Sequence, residues 1–220
     1  MEKVLVWLPS YNGWYHDVAI EACEGMLLDN RFNVEIKRNT DRPVTHNLNK
    51  GAHYAVANGF DWFIILDYDT SPTSNPLDLT LYNKHIISMA TPIFNANNIP
   101  KGNFPIYWNG FKYIEEKDGF SPLPAPNNWE DGLVAVDAVG MGCCLIHRDV
   151  LLAIGDKPFE RYVDDLGNTV RSPDFVFSMK AKEKGFQCWI HYDYNCNHIK
   201  EVGLFEVMDA INMMSRRAER

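Results

Sequence analysis

The chain has 220 residues, with 21 Lys and Arg against 29 Asp and Glu, and a formal net charge of −8. At 46% hydrophobic and 23% charged it has the composition of a folded domain, which excludes a disordered, collagen-like or coiled-coil chain. The acidic balance disfavours a broad nucleic-acid surface, because duplex affinity rests on Lys and Arg neutralising phosphates, though a local basic groove stays open.

No apolar run approaches the roughly 18 to 20 residues of a membrane span; the longest are five residues, Trp62 to Leu66 among them, the length of a buried strand. The N-terminal MEKVLVWLPS enters a strand-like run at once, without a basic leader or small-residue cleavage site, so a cytoplasmic protein is the expectation. Five cysteines (Cys23, Cys143, Cys144, Cys188, Cys196) are an odd number in a chain long enough to bury a core, and reduced thiols are expected.

Val4 to Leu8 reads as a buried strand ended by the turn chemistry of Pro9-Ser10-Tyr11-Asn12-Gly13. Between Trp14 and Asp29, Val18, Ala22 and Met26 recur at helical spacing with Cys23 and Leu27 beside them. Asn33 to Lys37 alternates as a half-buried strand, and Arg38 to Pro43 is a polar loop. Leu48, Ala52, Ala55 and Val56 mark a second helix closed by Asn58-Gly59. Trp62 to Leu66 is apolar throughout, as a central parallel strand covered on both faces should be. Three strands joined by two helices build an open parallel sheet, and such sheets bind ligands outside their carboxyl ends.

Six of the twelve prolines fall between residues 92 and 126, where helical crossovers are not expected. There, Ile106 to Trp108, Asn109-Gly110 and Phe111 to Ile114 read as a hairpin around a type I′ turn. Leu133 to Val139 and Cys143 to His147 follow as strands, and Leu166 to Arg171 as polar loop. Ser172-Pro173-Asp174 opens a helix with a capping serine, a proline at the first helical position and an acidic residue at the positive end of the dipole; Gly185 closes it. Phe186 to Tyr192 is the last strand and Val202 to Met214 a final helix.

The most informative segment is Phe63-Ile64-Ile65-Leu66-Asp67-Tyr68-Asp69, two carboxylates at the end of a buried strand. In an extended chain positions i and i+2 point the same way, so the pair would repel without a cation, and hard oxygen ligands favour Mg²⁺ or Mn²⁺. The same residues also suit the capping of a following turn.

The run from Asn47 through Ala55, Asn58 and Asp61 to Asp67-Tyr68-Asp69 resembles the nucleotide-binding half of GT-A glycosyltransferases, particularly family 2-like enzymes. The resemblance implies an α/β GT-A fold: a mostly parallel central sheet flanked by helices, with a small β-hairpin insertion. It implies one domain over residues 1–220, divided into a nucleotide-binding half (1–90), a proline-rich insertion (91–132) and an acceptor-side half with the C-terminal helix (133–220). It further implies transfer of a sugar from a nucleotide diphosphate donor to a hydroxyl. The acceptor is left open among glycan, lipid-linked sugar, protein, metabolite and modified nucleobase. By the resemblance Asp67 approaches the donor, Asp69 holds the divalent ion with Asp67 beside it, and the loop Pro9-Ser10-Tyr11-Asn12 and the segment Asn39 to Asp41 lie near the base. Thr45-His46-Asn47 stands where the family often has Ala-Arg-Asn, with Lys50 one helical turn on as a substitute cation. Gly142, in Gly140-Met141-Gly142, resembles the family's glycine-containing strand near the donor sugar, although two small residues also suit a bulge or close backbone approach. Asp174 resembles the base of inverting members, and an acidic first-turn residue is equally explained by the helix dipole. His198 resembles a further metal ligand, compatible with Mn²⁺.

Other readings are weighed on their residues. Asp67-Tyr68-Asp69-Thr70-Ser71 with Asp164-Asp165 downstream also resembles haloacid dehalogenase-like phosphatases, with Asp67 as nucleophile. Sugar-phosphate nucleotidyltransferases need a basic glycine-rich loop after the first strand, and Pro9 to Trp14 has no Lys or Arg. Cys188, His191, Cys196 and His198 include zinc's usual ligands, but Cys188 and His191, three apart on a strand, should face opposite sides. A non-catalytic binding domain of the same fold is the third alternative. Tyr107, Trp108, Phe111, Tyr113 and Trp129 suit an acceptor platform or the middle segment's own core.

Overall fold

A computed structural model of the chain describes residues 1–94, 106–124, 132–200, 203–205, 207–208, 211–212 and 216. Trp129 and six of the thirteen residues of the helix expected over Val202 to Met214 lie outside the described residues; within that range 204–205, 207–208 and 211–212 are helical.

Strand β1 (Glu2–Pro9) is followed by helix α1 (Asp17–Leu27), β2 (Phe32–Asn39), α2 (Val44–Ala57) and β3 (Trp62–Leu66). Both β2 and β3 pair with β1 in parallel, the arrangement expected of the first half. The sheet continues through β5 (Ile86–Ala90), β10 (Leu133–Val136), β12 (Cys143–His147) and β15 (Cys188–His198) in the order β10-β15-β5-β12-β3-β1-β2. Strand β12 runs antiparallel to both β3 and β5, β15 runs parallel to β5, and β10 runs antiparallel to β15. The sheet is therefore mixed but mostly parallel. The short β4 (Thr70–Pro72) adds antiparallel to the far end of β15.

Alternation along each strand sends side chains to two cores. Leu5, Trp7, Phe63, Ile65, Cys144, Ile146 and Ile190 face one side with Leu48, Ala52 and Ala55 of α2. The same core holds Val150 and Leu151 of α3 (Arg148–Ile154) and Phe177 and Ala181 of α4 (Pro173–Glu183). Val4, Val6, Leu8, Ile64, Leu66 and Leu145 face the other side with Cys23 and Met26 of α1. Each fully buried large aliphatic contributes roughly 1.5–3 kcal/mol, so the doubly covered centre dominates the stability. On α1 the buried stripe is Ala19, Cys23 and Met26; Val18 and Ala22 are only half-buried and Leu27 is exposed. All five cysteines are buried free thiols.

Three expectations are corrected. The Asn109-Gly110 turn does not form: neither residue has positive φ, and β7 (Ile106–Trp108) pairs instead with β6 (Pro92–Phe94). Asn109 is 1% exposed and works as a bracket, its Oδ1 accepting the Thr91 N–H at 2.7 Å and its Nδ2 donating to Ser88 Oγ at 3.0 Å and Gly140 O at 3.2 Å. Gly110 starts β8 (Gly110–Ile114), where a Cβ would stand 3.2 Å from Ile190; the glycine answers close packing rather than a turn. The hairpin in this region joins β8 to β9 (Gly119–Pro122) through Asp118, which has φ 42°.

Leu133 to Val139 breaks at Asp137, so that β11 (Ala138–Val139) leaves the main sheet and pairs with β8. Part of the expected loop at Leu166 to Arg171 is strand: β14 (Thr169–Arg171) pairs with β13 (Tyr162–Val163). Its reach was hidden because both strands are short and largely exposed.

The middle aromatics pack mostly on rings of α4 and β15. Phe111 and Phe120 meet Phe175 of α4 at 4.9 and 4.5 Å between ring centroids, Tyr113 meets Phe120 at 5.3 Å, and Trp108 meets Tyr192 at 6.1 Å.

Candidate functional site

The carboxyl ends of β1, β3 and β15 meet the start of α4 around a cavity of about 280 Å³. Its lining includes Asp67, Asp69, Asp174, His198 and Lys200 as the charged and polar groups, against apolar walls from Pro9, Val44, Leu48, Ile65 and Met141. Tyr11, Tyr68 and Pro173 complete it.

Local structure places each group. After β3 the chain does not stay extended: the Thr70 N–H donates to Asp67 O at 3.1 Å, so a tight turn, rather than the i, i+2 alternation of a strand, brings Asp67 and Asp69 to one cavity. The turn is tied on all sides, with Asp67 N–H donating to Gly142 O at 2.9 Å, His16 N–H to Tyr68 O at 3.0 Å and Ile199 N–H to Asp69 O at 2.8 Å. His198 does not follow the last strand but ends it, because β15 extends past Tyr192 through an irregularity between His191 and Asn195 and pairs His198 with Thr70. Asp174 enters through Pro173, the first residue of α4; Ser172 stands at the N-cap without a side-chain capping bond.

The electrostatics separate the carboxylates. Burial, reinforced by the neighbouring charges of Asp69 and Asp174, raises the Asp67 carboxyl well above the usual range. Burial also pushes up Asp69, but hydrogen bonds from His198 and Lys200 outweigh it and leave that carboxyl below its ordinary value. Lys200 Nζ donates to Asp69 Oδ2 at 2.6 Å, and His198 Nε2 stands 3.4 Å from the same oxygen. Asp174 is pushed up to about 6 by burial, with backbone N–H groups of Met141 and Asp174 itself pulling the other way. Two carboxyls with raised values beside one held low are the kind of spread that acid–base and ligand roles use.

The imidazole of His198 is oriented by its other nitrogen. Nδ1 lies 2.7 Å from the Pro92 carbonyl, which can only accept, so Nδ1 carries a hydrogen and Nε2 is the nitrogen that faces Asp69: protonated, it donates to the carboxylate; unprotonated, it offers a lone pair to a cation shared with Asp69. A carboxylate and an imidazole directed at one point, with the histidine's far N–H held by a carbonyl, are groups that could hold a divalent cation.

Of the residues expected at the donor, Pro9, Tyr11 and Asp67 line this cavity. Asn12 lines an adjoining one with Trp14, His16 and Tyr68, and its Oδ1 accepts from Trp14 N–H and Ser10 Oγ. Asn39, Asp41, Asn47, Lys50 and Gly142 are not among its lining. Asn47 is 2% exposed: its Oδ1 accepts Trp7 Nε1–H at 2.8 Å and its Nδ2 donates to Asn39 O and Asp41 O. Lys50 pairs with Asp41 at 2.6 Å, and Asn39 binds Asp41 through both its amide groups. Gly142 packs its α-carbon on Thr91, where a Cβ would stand 3.1 Å away; Gly140 does the same on Asn109.

Lys200 and Met141 were not singled out from sequence. Lys200 lies two residues beyond His198 in a run that reads as loop, and only the extension of β15 reveals that the pair points to one place. Cys188 and Cys196 sit in cores on opposite faces of the sheet, so the cysteine–histidine set does not converge.

No family model matches the chain, and no curated protein matches it. Among solved structures, the crystal structure of A197 from STIV is similar with a TM-score of 0.54 and 15% identity, covering 91% of this chain and 87% of that one. This likeness shows a shared fold. A UDP-glucose pyrophosphorylase complexed with UDP-glucose is similar with a TM-score of 0.48 and 10% identity over 99% of each chain.

Proposed function

We propose that the chain is a metal-dependent glycosyltransferase of GT-A type, moving a sugar from a nucleotide diphosphate donor to an acceptor hydroxyl. The observation that carries this reading is the convergence of Asp67, Asp69, Asp174 and His198 on one cavity at the carboxyl ends of the sheet. They come from three separate stretches of chain, in the order the GT-A resemblance implies. On this reading residues 1–220 form one such domain acting in the cytoplasm, and the acceptor class is what a transfer screen would find.

The residues fit a hard divalent cation, Mn²⁺ or Mg²⁺. Asp69 and the Nε2 of His198 would hold it, with Asp67 lining the same cavity and feeling the charge of Asp69. The bound ion supplies Lewis-acid stabilisation of the charge that develops on a leaving diphosphate. Lys200 holds the same Asp69 oxygen, so it competes with a cation there and has the diphosphate as its alternative partner. The apolar walls give a base or sugar face a surface to lie on.

Asp174 takes the proton from the acceptor hydroxyl. With its carboxyl pushed up to about 6 it is ionised at neutral pH and a stronger base than an ordinary aspartate. The phosphatase alternative is disfavoured by the place of its second acidic pair. Asp164 accepts the Leu166 and Asn168 N–H groups within its own turn between β13 and β14, and neither Asp164 nor Asp165 lines the cavity.

The test is calorimetric titration of UDP, GDP, CDP and their sugar conjugates with Mn²⁺ and then with EDTA. Metal-dependent binding of one nucleotide, lost in Asp69→Asn, supports the reading. No binding across the panel, with Asp69→Asn indistinguishable from the parent, overturns it. Hydrolysis of a generic phosphate ester abolished by Asp67→Asn would establish the phosphatase instead.

A further inference from the structure

At the other end of β3, away from Asp67, lies a second group of metal-ligating side chains. Trp62 opens that strand and pairs with His147 at the end of β12, and the His147 N–H donates to His85 O at 2.8 Å. With five residues from Trp62 to Asp67 at roughly 3.3 Å each, this end is about 16 Å from the cavity described above. Asp149 follows in the first turn of α3.

We propose that His85, His147 and Asp149 form a separate site for a divalent transition ion of the Zn²⁺, Co²⁺ or Ni²⁺ class. One donor atom from each lies within 4.8 Å of the other two. His147 Nδ1 stands 3.4 Å from Asp149 Oδ2. Two ligands of a tetrahedral ion, each about 2.1 Å from the metal, stand about 3.4 Å apart, so this gap already has the bite of such an ion. Nδ1 also accepts the Asp149 N–H at 3.3 Å, the N-cap bond of α3, which an ion taken up by Nδ1 would replace.

The rings are held in place before any ion binds. His147 packs edge-on to Trp62 at 5.0 Å and to His85 at 5.3 Å, and His85 packs on Phe186 at 5.3 Å. Their backbones are bonded neighbours across the β5–β12 edge, which limits how far the two imidazoles can part. The cavity there, about 220 Å³, is lined by Glu2, Trp62, Lys84 and both histidines among others, with Asp149 outside its lining, and leaves room for water to complete the coordination. Lys84, which also lines this cavity, holds its ammonium 4.1 Å from the Trp189 ring centroid.

Two imidazoles and one carboxylate make a softer set than the carboxylate-rich cavity, so the two ends of the sheet would sort metals: Zn²⁺, Co²⁺ or Ni²⁺ here, Mg²⁺ or Mn²⁺ there. An ion at this end would tie the residue before β5 to the β12–α3 junction, and by binding the native state would raise its stability.

The experiment titrates Zn²⁺ and Co²⁺ into the full chain carrying Asp69→Asn, which removes the main ligand at the other end. It follows heat, the visible Co²⁺ spectrum and the melting temperature. We expect one equivalent bound, a Co²⁺ spectrum with nitrogen ligation, and a higher Tm with Zn²⁺ but not with Mg²⁺. Adding His85→Ala should weaken binding by about tenfold or more and abolish the Tm shift. His85 is exposed, so this variant keeps its fold; Asp149→Asn is the second check. Absence of binding in the Asp69→Asn protein, or a titration unchanged by both substitutions, would overturn the site and leave an ordinary His147–Asp149 pair. Neither result depends on nucleotide binding at the other end.

Discussion

His198 presents Nε2 to the Asp69 carboxylate at 3.4 Å while the Pro92 carbonyl, 2.7 Å from Nδ1, fixes which nitrogen carries the hydrogen. Because the Thr70–His198 pairing is a backbone ladder, the side chain can be removed without losing the strand. His198→Ala should therefore weaken Mn²⁺ binding by roughly 10- to 100-fold with the fold intact. Manganese titration by electron paramagnetic resonance, with circular dichroism alongside, checks it. An unchanged affinity would remove His198 from the site.

Asp174 should trade stability for activity. Its folded-state value of about 6 lies above the ordinary 3.8, so the folded protein binds the proton more tightly than the unfolded chain. Stability then falls as pH rises from about 4 to 6, and the cost is complete above that. A shift of this size corresponds to an upper bound of roughly 3 kcal/mol. Asp174→Asn should raise the melting temperature at pH 8, leave it nearly unchanged at pH 3.5, and abolish transfer. The parent's transfer rate should climb through pH 6. Thermal melts at the two pH values and a pH–rate profile test both halves.

Asn47 separates a structural from a ligand-binding role. Its amide accepts from Trp7 Nε1 and donates to the Asn39 and Asp41 carbonyls, which ties the β2–α2 loop to β1. Asn47→Ala strands the buried indole N–H and should cost about 2–4 kcal/mol. Urea denaturation measures the loss. Nucleotide affinity of the protein that remains folded should change little, whereas a large loss of affinity at unchanged stability would restore the donor contact implied by resemblance.

Gly51 faces the Trp7 indole, whose ring atoms would stand 2.7–2.9 Å from an added Cβ. Helix propensity alone favours alanine there by roughly 1 kcal/mol. The clash should win, because Trp7 is 2% exposed and bonded to Asn47, and has nowhere to move. Gly51→Ala is expected to destabilise the protein by about 1–3 kcal/mol in a denaturant titration. A stabilised variant would show that the indole can yield.

Much of this architecture is written in local patterns. Periodicity places α1 and α2, unbroken apolar runs ended by turn residues place β1 and β3, and the Ser172-Pro173-Asp174 cap places α4, all signals that do not depend on what lies opposite. A five-residue apolar strand ending in Asp67 and Asp69 likewise announces carboxylates at a sheet edge. Long-range packing decided the remainder. The dipeptide Asn109-Gly110 has the letters of a turn, yet the partners of a buried amide are set by which backbones pass it, here Thr91 and Gly140. The antiparallel insertion of β12 between β3 and β5, the extension of β15 that carries His198 and Lys200 to Asp69, and the meeting of His85 with Asp149 depend on contacts between distant stretches of chain. No local period encodes such contacts, because each depends on the backbone route taken by the other stretch.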